Sequence, residues 1–253
     1  WEEALEDIAA RIQKTLDNGR PDEGTYHVGR PGEDMYTERV LQAWGLDAHN
    51  SHTNVCSAGA RLGYATWMGM DRPNPDHPKA KFVLMLSSHL EAGHYFNPHA
   101  QRIIEAKMEG TKTAVIDTRL SNTASQADYW LSPHPGTEAG LLLAMANYLI
   151  QNDLIDHGFL KRWVNWRELL EDRDYQEFLN RQQFHGKFPS GTSFDAFVAF
   201  LKDFYQDYTP EWAEEETGVP ASVVVTIAEE IASAGQAFAS HVWRSAAAGH
   251  LGG

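Results

Sequence analysis

The sequence predicts an α/β fold in which Rossmann-like parallel sheets are flanked by helices. Two short, uninterrupted apolar runs, Phe82 to Leu86 and Thr113 to Ile116, have the length expected of strands buried on both faces. A helical pattern from about Pro98 to Glu109 joins them and stops at Gly110. Two strands joined by a helix form a right-handed parallel unit, so both carboxyl ends should face the same ligand-binding edge.

Before these strands, the sequence predicts two helices separated by a loop. Trp1 to Leu16 has apolar residues at helical spacing and acidic residues at its N-terminal end. Asn18 to Gly32 is rich in glycine and proline, which is typical of a loop. A second helical pattern covers Met35 to Trp44, and Cys56 follows in a turn-rich segment.

After the strands, helices are predicted at Gly136 to Gln151 and Ser222 to Ala234, and a strand at Ala237 to Trp243. Residues 165 to 208 are rich in aromatic side chains and lack a clear period, so we interpret them as short helices packed as an insertion. The chain begins at Trp1 inside a helical pattern and stops soon after a strand-like run. We therefore expect an internal fragment of a longer protein.

The composition excludes several classes of protein. The 253 residues include 21 basic and 35 acidic side chains, and the net charge of -14 argues against a nucleic-acid partner. The single cysteine excludes a disulfide framework and a self-contained iron–sulfur or zinc cluster built on cysteines. No apolar stretch approaches the roughly 18 residues of a membrane-spanning helix.

Four segments together resemble the dimethyl sulfoxide reductase family of molybdopterin oxidoreductases. Trp1-Glu2-Glu3-Ala4-Leu5 is similar to the segment that follows the iron–sulfur domain in that family. Ile116-Asp117-Thr118-Arg119 resembles its Asp-Pro-Arg strand end, with threonine in place of proline, and Ser121 to Asp128 extends the match. Pro135-Gly136-Thr137-Glu138 resembles its Pro-Gly-Thr-Asp motif, with glutamate in place of aspartate. The segments occur in the family's order.

The resemblance implies that Cys56 is the protein ligand to molybdenum or tungsten, beside the dithiolenes of two molybdopterin guanine dinucleotides. A lone cysteine is otherwise commonly a small buried hydrophobe. His52 and Arg61 flank Cys56 and could shape a pocket for a small-molecule substrate by supplying a proton or holding an anion.

The resemblance also implies a dinucleotide site at the two strand ends. Carboxylates suit ribose hydroxyls and guanine N–H groups, and a guanidinium suits phosphate. The expected cofactor-binding residues are Ser87, Ser88, His89, Glu91, Asp117, Thr118, Arg119, Ser121, Gly136 and Glu138. Other interpretations are an ordinary loop after the first strand, a surface ion pair between Asp117 and Arg119, and helix-dipole placement of Glu138.

The remaining implications concern the longer protein. Residues 1 to 52, resuming at about 237 to 253, would form one α/β domain, and residues 53 to 236 a pterin-dinucleotide-binding domain interleaved with it. A 4Fe-4S cluster would be bound by cysteines upstream of Trp1, and the partners would be an iron–sulfur electron-transfer subunit, joined in some members by a membrane anchor subunit. The family favours a periplasmic or membrane-associated enzyme that reduces oxyanions or sulfur compounds, although a cytoplasmic location is also open.

Two other classes remain open, and a second metal site is not predicted. A cofactor-free structural subunit of a respiratory complex would keep the fold, but the intact Cys56 disfavours it. An ordinary Rossmann-type enzyme is disfavoured because no Gly-x-Gly-x-x-Gly follows either early strand. The spacing of His52, His94 and His99 matches no zinc signature.

Overall fold

The computed structural model describes residues 1–28, 34–46, 48–51, 58–70, 75–88, 90, 97–181, 188 and 191–242. It contains two compact units, Trp1–Arg72 (unit 1) and Pro73–Gly253 (unit 2). Among the described helices, none is both long and apolar enough to cross a membrane.

The described residues of unit 1 form three α-helices and a parallel pair of short strands. The helices are α1 (Glu2–Asp17), α2 (Asp34–Trp44) and α3 (Ala58–Met68), and the strands are β1 (Thr25–Val28) and β2 (Ala48–Ser51). The predicted helices in this unit are confirmed, but the prediction of loop throughout Asn18 to Gly32 was wrong. β1 has only four residues and contains no apolar run. It forms because it pairs with β2, which is distant in the sequence, so the local sequence does not predict a strand here.

Unit 2 alternates strands and helices. The strands are β3 (Phe82–Leu86), β4 (Lys112–Ile116), β5 (Tyr129–Leu131) and β6 (Phe238–Val242). The helices are α4 (Asn97–Met108), α5 (Asn122–Ser125), α6 (Glu138–Gln151), α7 (His157–Trp163), α8 (Trp166–Glu171), α9 (Arg173–Arg181), α10 (Phe194–Tyr205), α11 (Pro210–Thr217) and α12 (Ala221–Ala234).

The four strands described in unit 2 form one parallel sheet in the order β5-β4-β3-β6. Leu86 at the end of β3 is in register with Ile116 of β4 and Val242 of β6, and Ile116 is in register with Leu131 of β5. All four carboxyl ends therefore reach the same edge of the sheet. The predicted α/β fold is confirmed.

Helices cover both faces of this sheet, which explains why β3 is apolar without interruption. On one face, Phe82, Leu84 and Leu86 pack in a core with side chains of α6, α11 and α12. On the other face, Val83 and Met85 pack in a second core with side chains of α4 and α5. Every residue of β3 is buried, so this strand is the centre of the unit.

The aromatic-rich stretch forms short helices, as predicted. Trp166 and Leu170 of α8 pack against Phe197 of α10 in a small separate core. α10 begins where the Ser193 hydroxyl accepts a hydrogen bond from the backbone N–H of Ala196.

The unit boundary differs from the predicted domain boundary. Residues 53 to 72 belong to unit 1, and β6 lies in unit 2 because its backbone pairs with β3. The family resemblance had placed residues 237 to 253 with the first 52 residues. Interleaving within a longer protein stays a prediction, which the position of β6 limits to residues beyond Val242.

Candidate functional site

The carboxyl edge of the four-stranded sheet gathers most of the predicted site residues that the structure describes. Ser87 and Ser88 follow β3, and Asp117, Thr118 and Arg119 follow β4. The chain proceeds from β3 outward to β4 and β5, whereas β6 lies on the other side of β3. The strand order thus reverses between β3 and β6, and ligands of open parallel sheets bind at such switch points.

The end of β3 holds two serines in different environments. Ser87 has a left-handed backbone (φ 51°), is partly exposed and donates its N–H to the carbonyl oxygen of Ile116 at 2.9 Å. Ser88 is fully buried, and its Oγ lies 3.2 Å from the carbonyl oxygens of both Leu86 and His241. The hydroxyl of Ser88 therefore joins β3 to β6 inside the protein and offers no exposed surface to a ligand.

The end of β4 is held by hydrogen bonds that leave its side chains outward. Oδ1 of Asp117 accepts a hydrogen bond from the backbone N–H of Arg119 at 3.1 Å, and the Asp117 carbonyl accepts one from Nε1 of Trp130 at 2.9 Å. The Ser132 hydroxyl donates to the Thr118 carbonyl at 3.2 Å. The recorded contact between Asp117 and Arg119 is therefore a hydrogen bond to the backbone, and the surface ion pair between their side chains stays an alternative interpretation.

The turn after β5 leads into α6 and carries two predicted residues. Gly136 has a positive φ of 86°, and a Cβ added there would meet no atom within 4 Å. A ligand could therefore approach the backbone closely, while a non-glycine residue would be strained. Glu138 is the first residue of α6, where its charge also complements the helix dipole. Both roles of Glu138, ligand contact and dipole partner, are compatible with this position.

The same turn is hydrogen-bonded to the C-terminal end of α11. The N–H of His134 donates to the Thr217 carbonyl at 2.8 Å, and the Thr137 hydroxyl donates to the His134 carbonyl at 2.7 Å. Gly218 has a φ of 74°, and a Cβ on it would lie 3.0 Å from Nε2 of His134. Glycine is thus required at 218 both for its backbone conformation and for this close approach.

Ser121 serves local structure. It is buried, and its Oγ accepts a hydrogen bond from the backbone N–H of Ala124 at 3.2 Å, which caps α5. This bond occupies one lone pair of a hydroxyl with little access to solvent. A cofactor contact from Ser121 stays a prediction.

The other predicted residues are placed elsewhere. Arg61 is an exposed residue of α3 in unit 1. Four predicted site residues lie outside the described residues, namely His52, Cys56, His89 and Glu91.

Sequence reasoning missed the residues that position the loop after β4. Trp130 and Ser132 both donate to its backbone carbonyls. They lie in and just after β5, a strand of three residues that is too short to give a periodic signal.

A comparison with known protein families identifies the family of this chain. The sequence profile described as molybdopterin oxidoreductase matches residues 1–241. The chain belongs to this family. The resemblance found in the four motifs is thereby confirmed.

Relatives of this molybdopterin oxidoreductase chain are similar over almost all of it. A sulfite dehydrogenase subunit of Allochromatium vinosum is 25% identical over 273 residues, covering 91% of this chain and 28% of that protein. A nitrate reductase of Symbiobacterium thermophilum is 29% identical over 248 residues, covering 93% and 29%. The structure of acetylene hydratase from Pelobacter acetylenicus superposes with a TM-score of 0.66 at 20% identity, covering 96% and 29%. The chain therefore spans less than a third of the length of these relatives.

The described edge fits the nucleotide part of a pterin cofactor. Asp117 and Glu138 are partly exposed acceptors, Arg119 is an exposed cation, and the space beside Gly136 is open. These are the groups that ribose, guanine and phosphate require.

Proposed function

We propose that this chain is part of the catalytic subunit of a molybdenum or tungsten oxidoreductase that binds two molybdopterin guanine dinucleotides. The proposed substrate is a small oxyanion or sulfur compound. Relatives that carry the names sulfite dehydrogenase and nitrate reductase support this substrate class. The proposal extends to a 4Fe-4S cluster and an iron–sulfur electron-transfer subunit, joined in some assemblies by a membrane anchor subunit, all outside this chain.

One observation carries the dinucleotide site. The loop after β4, with Asp117 and Arg119, lies at the carboxyl edge of a parallel sheet, one strand away from the strand-order reversal between β3 and β6. Its carbonyl groups are bonded to Trp130 and Ser132, while its side chains stay exposed to different degrees. A fixed backbone with outward polar side chains suits a ligand that is bound tightly.

Each side chain has a role that follows from its chemistry. The Asp117 carboxylate accepts hydrogen bonds from ribose hydroxyls or guanine N–H groups, and Arg119 binds phosphate oxygens. Glu138 has one methylene more than the aspartate of the related motif, so its contact with guanine is shifted. Thr118 in place of proline leaves the turn intact, since proline would mainly fix φ.

The proposed protein ligand to the metal lies outside the described residues. We propose Cys56 as the thiolate ligand to the metal, with His52 and Arg61 beside the substrate. When bound, the metal and its dithiolenes supply two-electron redox chemistry. The protein residues bind, orient and tune that group.

The experiment replaces Asp117 in the full-length enzyme with asparagine. The amide oxygen can still accept the bond from Arg119, but one acceptor is replaced by a donor and the charge is lost. We expect affinity for the dinucleotide to fall by about tenfold, the loss of about one hydrogen bond to a charged group. The measurement is guanine nucleotide retained per chain after gel filtration in sub-denaturing urea.

Asp172→Asn is the matched control. Oδ1 of Asp172 also accepts a backbone N–H, from Tyr175 at 2.9 Å, but Asp172 is exposed and lies just before α9. The control should retain as much nucleotide as the unmodified enzyme. Equal retention by both variants would contradict the site, and a full-length protein without pterin or metal would favour the cofactor-free structural subunit.

A further inference from the structure

Three buried histidines meet in unit 2, although they are far apart in the sequence. His77 begins the 3-10 turn before β3, His99 lies in the first turn of α4, and His241 is in β6. Their relative exposures are 0%, 8% and 7%. The turn packs against α4, and His241 pairs with Met85, whose side chain lies in the core shared with that helix. Tertiary structure alone brings these side chains together.

Their geometry is close to that of a shared metal. One ring nitrogen from each histidine lies within 4.8 Å of the other two. Nε2 of His77 and Nδ1 of His241 are 3.3 Å apart. Two nitrogens bound to a tetrahedral zinc at about 2.0–2.1 Å lie about 3.3 Å from each other. This pair is already at that separation, and a modest movement of the His99 side chain would complete the set.

Hydrogen bonding among the described residues leaves one ring nitrogen of His77 unsatisfied. The contact between His77 and His241 accounts for one nitrogen of each ring. Nδ1 of His77 is buried and has no hydrogen-bond partner among the described residues. Buried ring nitrogens are normally paired, so histidines that serve only as core packing are expected to be better satisfied.

Burial, with a smaller contribution from nearby charges, keeps the rings of His77 and His99 in the neutral form that binds metals. Burial, together with the nearby His99 and Arg102, lowers the pKa of His77 to about 4, against a smaller opposite effect of Asp76. Burial and Arg102 also lower the pKa of His99. Neutral imidazoles present a lone pair to a cation at neutral pH. Arg102 opposes a bound cation, and the carboxylate of Asp76 partly offsets it.

We propose that His77, His99 and His241 form a binding site for a divalent transition-metal cation of the zinc type, separate from the pterin-bound metal. Imidazole nitrogen is a preferred ligand of such cations, and three of them leave one tetrahedral position for water. A bound ion would join the turn before β3, the start of α4 and the strand β6. It would stabilise the packing of these three elements at the β6 side of the sheet.

The test uses the full-length enzyme, Zn²⁺ as the probe and elemental analysis that counts zinc beside molybdenum or tungsten. We expect about one bound zinc per chain that is lost when His99 or His241 is replaced by glutamine. The zinc K-edge spectrum should show nitrogen or oxygen ligands with imidazole scattering and no sulfur. The content of pterin-bound metal should stay unchanged in both variants, which separates this site from the proposed function.

His157→Gln is the matched control, because His157 is an exposed histidine bonded to Asp153 at 2.7 Å. It should bind as much zinc as the unmodified enzyme. Failure of the unmodified enzyme to bind zinc, sulfur ligation of the zinc, or equal zinc in the cluster variants and the control would each overturn the proposal. The zinc count and the zinc spectrum are also recorded on the unmodified enzyme. The proposal can therefore be contradicted even if a variant does not fold.

Discussion

At the scale of single residues, some polar side chains at the sheet edge stabilise the fold, and others are exposed where a ligand could bind. The hydroxyls of Ser88 and Ser121 are buried and bonded to the backbone, so they hold β6 and α5 in place. Asp117, Arg119 and Glu138 keep exposed surface. All of these residues were predicted to bind the cofactor, yet the hydroxyls of Ser88 and Ser121 have little access to a ligand, whereas the three charged side chains have it.

The sharpest prediction at this scale concerns Cys56. Replacing it with alanine in the full-length enzyme should abolish turnover and leave the fold largely intact, because a soft thiolate suits a metal already bound by dithiolene sulfurs. Kinetics and metal content of the variant are the measurements. A buried structural thiol would instead cost about 1 kcal/mol of stability and leave activity near normal. Substantial turnover at full metal loading would show that Cys56 is packing.

At the scale of elements, one aspartate joins α4, β4 and the approach to β5. Oδ2 of Asp128 accepts hydrogen bonds from Nζ of Lys107 at 2.7 Å and from the backbone N–H of Thr113 at 2.8 Å. Burial raises the pKa of Asp128, but these bonds and the charge of Lys107 outweigh it, and the net pKa lies below the usual value. The ionised carboxylate therefore stabilises the start of β4.

The sign of the pH effect follows from the lowered pKa. The stabilisation is present above the unfolded pKa of about 3.9 and is lost as the pH falls through the lower folded value. In Asp128→Ala, we expect the amide of Thr113 to exchange its hydrogen about tenfold faster near neutral pH, the loss of about one hydrogen bond. Hydrogen-exchange mass spectrometry, corrected for intrinsic rates, measures exchange at Thr113 in the variant and in the unmodified protein at each pH.

The exchange advantage of the unmodified protein over the variant should shrink in acid. Asp153→Ala is the control, since the side chain of Asp153 is exposed and bonds only to His157 among the described residues. It should leave exchange at Thr113 unchanged. An advantage that persists below the folded pKa would mean that the charge of Asp128 does not hold β4.

At the scale of the whole molecule, the chain has two compact units and spans less than a third of the length of its relatives. Because β6 is hydrogen-bonded to β3, the chain can return to the domain of residues 1 to 52 only beyond Val242. We predict that a structure of the full-length enzyme will show segments after Val242 packed with the first 52 residues. A domain of residues 1 to 52 built without any later segment would contradict the interleaving.

Local patterns in the sequence were sufficient to predict the strands and helices with strong periodicity. β3 and β4 are predictable because strands buried on both faces must be apolar throughout, and α1, α6 and α12 because one helix face must be apolar. The loop after β4 could also be recognised, since a carboxylate and a guanidinium after a buried strand point to a ligand site. Family motifs added Cys56 and Glu138, which physical patterns alone did not single out.

Long-range packing determines which polar groups are used internally and which distant groups meet. β1 and β5 are too short for a periodic signal and exist because a neighbouring strand pairs with them. Ser88 is structural because His241 comes beside it in β6. His77, His99 and His241 approach each other because a turn, a helix and a strand pack together. Such contacts depend on burial and strand order, which local sequence does not encode.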